Sequence, residues 1–321
     1  MSTSNKRITL SISQIAPLVG LDDYNNFPRI ICEVWRKYDP NDFKIFETML
    51  KLKGLKIATS SDMNDIWEAD EALGTNILEQ VKQINSNKEK TSGDMVSQQD
   101  AITKYINSND KLKNMDNTQK QELAKKVCSA TNKMHGVINE DSVLAEFCKL
   151  SEKTIKDTQG WVEIKVSKEE SSESSESSES SESSESSLPI NWVIVGKYDA
   201  VTTDNELVEA KMRQKCLFKK VRNYENVQVQ LYMHALQLEQ GYLVESYTNK
   251  KGENHIYVND IKYDSDYVND IVLERISKFI KFFEMFLGDD EIKEGLLKGD
   301  SDRKIYKIYE KEYLGVEDLD F

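Results

Sequence analysis

The sequence predicts an α/β (α+β) domain built on a central mixed β-sheet flanked by helices. Three observations predict it: amphipathic helical patterns near the start, apolar strand-like runs in the second half (GWVEIKVS, NWVIVGKYDAV, ELVEAKM), and a helical stretch before a further strand pair. Helix, strands, helix, strands, helix is the order of a sheet covered by helices.

In SISQIAPLVGLDDY, Ser11 and Ser13 are candidate N-caps, Ile15, Leu18 and Val19 have helical spacing, and Gly20 is a stop. A second amphipathic helix is expected over Arg29 to Lys37. From about Gly54 to Asn132 the chain is rich in Asn, Lys, Gln and Asp with few apolar residues, which predicts an insertion of loosely packed helices and long loops. The expected organisation is therefore an N-terminal helical part (1–53), a helical and loop insertion (54–132) and a core (133–321). Within MHGVINEDSVLAEFCKL, the residues Val137, Val143, Leu144, Phe147 and Leu150 form a helical stripe that begins after Gly136.

A strand, GWVEIKVS, follows, and then a Ser/Glu tract (168–188) too hydrophilic to fold. It reads as a disordered, dispensable hairpin tip, since loop-closure entropy grows only logarithmically with length. A phosphorylation platform is the sharper alternative. After the next two strands, Arg222 to Glu239 reads as a helix, GYLVESYT and NHIYVNDIKY as a strand pair around NKKGEN, and SDYVNDIVLERISKFIKFFEMFL as a long amphipathic helix.

Composition narrows the function classes. With 321 residues the chain can bury one sizeable core with insertions. No apolar run approaches the ~18 residues of a spanning helix, and MSTSNKRITLS lacks the apolar segment of a signal peptide. An intracellular soluble protein of cytoplasm or nucleus, with no membrane partner, is expected. Cys32, Cys128, Cys148 and Cys216 are scattered without a CxxC pair, so neither zinc finger nor disulfide framework is suggested. The net charge of −13 argues at first against a nucleic-acid partner. A metal-dependent nuclease tolerates it, because bound cations offset carboxylates and basic residues need line only one groove.

The informative stretch is NWVIVGKYDAVTTDNELVEAKMRQ, where Asp199, Glu209 and Lys211 stand inside apolar strands. Charges in buried strands are costly unless paired or bound to a metal. Side chains two apart share a strand face, so Glu209 and Lys211 point one way and Val208, Ala210 and Met212 the other. Asp199 sits beside Glu209 only in the register 199 to 209, which requires a three-residue loop, Thr203-Asp204-Asn205, with Asn205 left-handed. Adjacent carboxylates favour a hard divalent metal between them. Lys211 beside it would orient a water and stabilise charge developing on a phosphate. On the next helix Gln228 and Tyr232 are four apart and share a face, whereas His234 falls in the apolar stripe.

These pieces together, SISQIAPLVGLDDY, HGVINE, GKYDAV, LVEAKM and QVQLY, resemble in kind and order the PD-(D/E)XK nucleases of the RecB-like branch. That branch includes the YqaJ viral recombinases and lambda-type exonucleases. The resemblance covers both ends of the chain and leaves residues 54–132 unmatched. It implies a restriction-endonuclease-like core and a nuclease that uses Mg2+ or Mn2+ on double-stranded DNA, in recombination, repair or viral genome processing. Asp199, Glu209 and the backbone carbonyl of Ala210 would hold the metal, and Lys211 would be the catalytic lysine. Glu140 would be the upstream acid that binds and positions a metal or its water, with Glu146 as fallback, and Gln228 and Tyr232 would support the site and contact DNA. Ser13, Arg7 and Arg213 would contact DNA, Arg7 at a 5′-phosphate. A homo-oligomeric ring, a recombination partner protein and a viral replication site belong to the same implication. The cysteine spacing leaves no place for the iron–sulfur cluster of some relatives.

Other readings of the same residues stay open at this level. Asp199, Glu209 and Lys211 also suit an interstrand salt bridge, Glu140 a helix N-terminal carboxylate, Tyr232 a packed aromatic and Gln228 an exposed polar residue. An endonuclease on the same fold and a non-catalytic DNA-binding or assembly module are the competing functions.

Overall fold

Two mixed sheets that share one bent ribbon of chain carry the fold. The computed structural model describes residues 7–22, 27–53, 92–166, 191–249, 251–298 and 302–315, with some single positions between 66 and 79. The Ser/Glu tract lies outside these residues. The first sheet has the order β1-β4-β3, from β1 (Arg7–Ser11), β3 (Trp161–Val166) and β4 (Asn191–Lys197). The second has the order β2-β5-β6-β7-β8, from β2 (Ile155–Thr158), β5 (Ala200–Thr202), β6 (Leu207–Arg213), β7 (Gln240–Thr248) and β8 (Asn254–Lys262). In the first, β1 runs parallel and β3 antiparallel to β4; in the second, β6 and β7 are parallel and the other pairs antiparallel.

The α/β class is thus as expected, but the single central sheet is split in two. The split falls where β4 gives way to β5. The chain 155–166 runs antiparallel to 191–202 along its whole length, pairing β2 with β5 and β3 with β4. Between the two pairs the Gln159 amide donates to the Asp199 carbonyl and the Tyr198 amide to the Gly160 carbonyl, both at 3.0 Å. Gln159 takes a left-handed φ of 57°. A Cβ at Gly160 would lie 2.1 Å from the Tyr198 hydroxyl, so only glycine admits the Tyr198 ring at this bend. Asp199 therefore stands on the kink between the sheets.

Helices cover both. Helix α1 (Ile12–Leu18) starts at Ser11, whose amide donates to the Gln14 side chain at 3.0 Å, and Gly20 follows it with a left-handed φ of 71°. Then come α2 (Phe27–Tyr38) and α3 (Pro40–Leu52). Helices α4 (Ser92–Ser108) and α5 (Asn117–Ser151) follow. Helix α5 runs unbroken through Gly136, where the sequence predicts a start, and it crosses the junction at 132/133. Ile102 and Ile106 of α4 and Leu123, Val127 and Ala130 of α5 make a small separate core, so these helices are better packed than their composition suggests. The spacings of three and four explain it.

Helix α6 (Asn223–Leu236) connects β6 to β7. A π-helical stretch, Tyr267–Leu273, leads into α7 (Glu274–Gly288), and α8 (Asp290–Lys298), α9 (Asp302–Tyr309) and a second π-helical stretch, Glu310–Leu314, complete the described part. An aromatic cluster ties both termini to the first sheet: Phe27 stacks on Tyr309 at 4.8 Å, and Trp192 meets Phe283 edge-on at 5.6 Å. No helix among the described residues is long and apolar enough to cross a membrane.

Strand β6 divides two cores. Val208 and Ala210 face Val143, Leu144 and Phe147 of α5, while Leu207 joins Val227 and Leu231 of α6 in the main core. Residues of odd number on β6, Glu209 and Lys211 among them, thus face α6.

Candidate active site

The hairpin from β5 to β6 has the geometry the sequence requires. Ala200 pairs with Val208 and Val201 with Leu207, which sets Asp199 opposite Glu209. The Thr202 amide donates to the Glu206 carbonyl at 2.9 Å, and Asn205 has φ of 61°. Asparagine tolerates this left-handed conformation better than most residues.

Around Asp199 and Glu209 the side chains converge. Glu209 is 2% exposed and Asp199 8%. Lys211 Nζ donates to Glu209 Oε1 at 2.7 Å and to Gln228 Oε1 at 3.3 Å, and Gln228 Nε2 donates to the same Glu209 oxygen at 2.7 Å. The Ala210 amide donates to Asp199 Oδ2 at 2.8 Å. Ala210 therefore serves Asp199 through its N–H, beside the metal-binding role expected for its carbonyl.

Glu140 approaches from the other layer. On α5 it is one turn before Val143 and Leu144 and two before Phe147, on the stripe that packs against β6. Its Oε2 accepts from Gln159 Nε2 at 3.2 Å, and Gln159 in turn holds the Asp199 carbonyl. Glu146, six positions on, lies off this stripe. Gln159 escaped sequence reasoning; its only signal was the Gln-Gly dipeptide before a strand.

The electrostatics are those of crowded carboxylates. Burial pushes the Glu209 pKa up to about 7, Lys211 opposes the rise, and Asp199 and Glu140 add to it. Burial also raises Asp199, against the pull of Lys211, the Ala210 amide and Lys197. Glu140 is raised by burial and by Asp199, with Gln159 and Lys211 opposing. Burial alone would lower Lys211, but Glu209 and Asp199 outweigh it and hold the ammonium charged. Without a further cation, then, all three acids hold protons more tightly than free carboxylates do.

Glu209 Oε2 is buried and has no hydrogen-bond partner. An orphaned carboxylate oxygen beside a second buried carboxylate is the donor set a hard divalent cation takes. Among the described residues no group of three or more His, Cys, Asp or Glu is gathered closely enough to hold a metal. Two carboxylates with positions left for water and phosphate match the way magnesium is held.

Tyr232 is 3% exposed; its hydroxyl donates to the Lys197 carbonyl at 2.8 Å, and its ring fills the space a Cβ at Gly196 would take. It supports the end of β4 from beneath, and burial raises its pKa. His234 is half-buried with Nδ1 2.8 Å from the Tyr263 hydroxyl, away from the cluster. Ser13 is exposed, its Oγ 2.9 Å from that of Ser11, and its neighbour Ile12 reaches Gly196 near the site end of β4.

Two of the cations expected on DNA are otherwise engaged. Arg7 is paired with Asn191 at the start of the β4 ladder, about 20 Å of strand before the site, and its guanidinium binds Glu163 at 2.6 Å. Arg213 binds Glu225 at 2.6 Å and Glu245 at 2.7 Å, both carboxylates being fully buried. Its position two residues after Lys211 put it on the right face; the partners that claim it come from α6 and β7 and were not readable from spacing.

No protein-family model and no curated protein matches the sequence. Similar solved structures include one described as the crystal structure of SSO0001, at 14% identity over 67% of this chain and 85% of that one, with a TM-score of 0.32. Others are an alkaline exonuclease (LHK-Exo) from Laribacter hongkongensis, at 11% identity over 64% and 93% of the two chains (TM-score 0.33), and LHK-Exo in complex with dAMP, at 11% identity over 64% and 91% (TM-score 0.32). At these scores the likeness carries no weight for the function.

Proposed function

We propose that the chain is a metal-dependent deoxyribonuclease that hydrolyses phosphodiester bonds at the ends of double-stranded DNA, as an exonuclease of the YqaJ and lambda type. The observation that supports it is the buried, unsatisfied Oε2 of Glu209, a residue set opposite Asp199, with Lys211 and Gln228 on its other oxygen.

In this reading Asp199, Glu209 and the Ala210 carbonyl hold Mg2+ or Mn2+. The bound cation supplies Lewis-acid polarisation of the scissile phosphate and eases deprotonation of water. Lys211 has three donors, two of which go to Glu209 and Gln228. The third is available to the attacking water or to the charge growing on the phosphate. Gln228 fixes the lysine and Glu209 as a unit. Glu140, its pKa raised and its orientation set by Gln159, takes up a proton from the water. A ring-forming homo-oligomer and a recombination partner protein extend the same proposal. A monomer by light scattering at micromolar concentration would count against the ring.

The Lys211–Glu209 pair at 2.7 Å favours a second reading, a structural ion pair in a binding module without catalysis. Incubating the protein with linear and circular duplex DNA, with magnesium or EDTA, separates the possibilities. Magnesium-dependent loss of the linear form alone is expected. Cutting of circles indicates an endonuclease, and no cutting of either supports the ion-pair reading.

A further inference from the structure

We propose that Trp161 and Lys197 form a stacking platform for a nucleic-acid base at the rim of the site. The inference rests on the nuclease reading and adds a residue that recognises the substrate. Trp161 is 73% exposed, an unusual place for the largest side chain, while its neighbours Val162 and Ile164 are buried on the other face of β3. The strand alternation leaves Trp161 nothing of the core to cover.

Its place ties it to the site. Trp161 pairs directly across the ladder with Lys197, two residues before Asp199. The Lys197 charge is felt by both Asp199 and Glu140. Lys197 itself is exposed, and among the described residues it acts on Asp199 and Glu140 through its charge without a direct hydrogen bond to either. Trp161 also follows Gly160 at the kink, where the Tyr198 ring fixes the backbone, so the indole is carried by a rigid strand rather than a mobile loop. An exposed aromatic face beside an exposed ammonium, next to a phosphate-directed site, is the combination that binds an unpaired base with its backbone phosphate. Stacking tolerates any base, so the platform selects for unpaired ends rather than for sequence.

The test uses the full chain and two variants. Trp161→Phe keeps a ring and Trp161→Thr keeps strand propensity without one. A twelve-nucleotide oligothymidine and the same strand with abasic sites are titrated by intrinsic fluorescence and anisotropy in EDTA, and cleavage of linear duplex is measured separately in magnesium. Oligothymidine should quench the wild type, Trp161→Phe should bind within a few-fold, and Trp161→Thr should bind about five- to a hundredfold more weakly. The abasic strand should bind wild type no better than oligothymidine binds Trp161→Thr. Equal binding by wild type and Trp161→Thr would overturn the platform and leave the nuclease reading standing if duplex is still cut. A changed sedimentation of Trp161→Thr with unchanged binding would also overturn it, by marking a contact between proteins. A wild type that neither cuts nor binds would refute the reading beneath it as well.

Discussion

Two buried charge networks sit side by side on β6, and they are built differently. In the first, Arg213 joins Glu225 and Glu245, and the remaining lone pairs are used: Glu245 also accepts from the Phe218 amide at 3.3 Å and the Lys219 amide at 2.7 Å, and Glu225 from the Arg222 amide at 3.3 Å and the Tyr224 hydroxyl at 3.2 Å. In the second, Glu209 spends one oxygen on Lys211 and Gln228 and leaves the other with nothing. A closed network holds the chain between β6 and α6 in place. An open one, with a carboxylate pushed up to about 7 despite the Lys211 ammonium beside it, has a buried oxygen left for a second cation. Burial and charge are common to both; what separates a site from a brace is the unfilled lone pair.

Breaking the closed network should have the largest effect on stability. Arg213→Met strands two buried carboxylates, and a loss of about 3 to 5 kcal/mol is expected in denaturant titration. The equivalent cut in the open network should show in rate instead. Lys211→Ala should lose about a hundredfold or more in cleavage, yet melt close to wild type, because Glu209 can take up a proton when its partner is gone. A large drop in melting temperature with no specific rate defect would make the second network a brace like the first.

The pH dependence sharpens the contrast further. Glu209 is raised from 4.5 to about 7, so between these values the folded protein holds a proton that the unfolded chain has lost. In metal-free buffer its contribution to stability is full below about pH 4.5 and fades as pH rises through about 7. Magnesium must displace that proton, so its affinity should fall as pH drops below about 7. Glu209→Gln should flatten the melting profile across this window, and an unchanged slope would assign the effect elsewhere. The smallest effect belongs to the support beneath the site. Tyr232→Phe removes the bond to the Lys197 carbonyl, and it should cost about 1 kcal/mol by thermal melting with little change in rate.

Much of the open network was legible because it is local. The pairing of Asp199 with Glu209 follows from one hairpin, and Asn205 identifies its loop through a conformation few residues accept. Gln228 follows from helical spacing. The brace was not legible: Arg213, Glu225 and Glu245 meet only after β6, α6 and β7 are packed, and Arg213 alone reads as a free cation. Nor was the division into two sheets, which depends on the long-range register of 155–166 against 191–202 and on the Tyr198 ring over Gly160. The continuous α5 was hidden for a simpler reason. Glycine is disfavoured inside helices, so the sequence reads as a start after Gly136, and a long helix with a packed core along each half absorbs a penalty of about 1 kcal/mol.

The central claim is that the vacant Glu209 oxygen marks a cation site. Melting the wild type and Glu209→Gln at pH 8 across a magnesium series tests it most directly, since a ligand that binds only the folded state raises stability in proportion to ln(1 + [L]/Kd). The account predicts a melting temperature that climbs with magnesium in the wild type and stays flat in Glu209→Gln. Equal responses of the two proteins, or none in either, would contradict it.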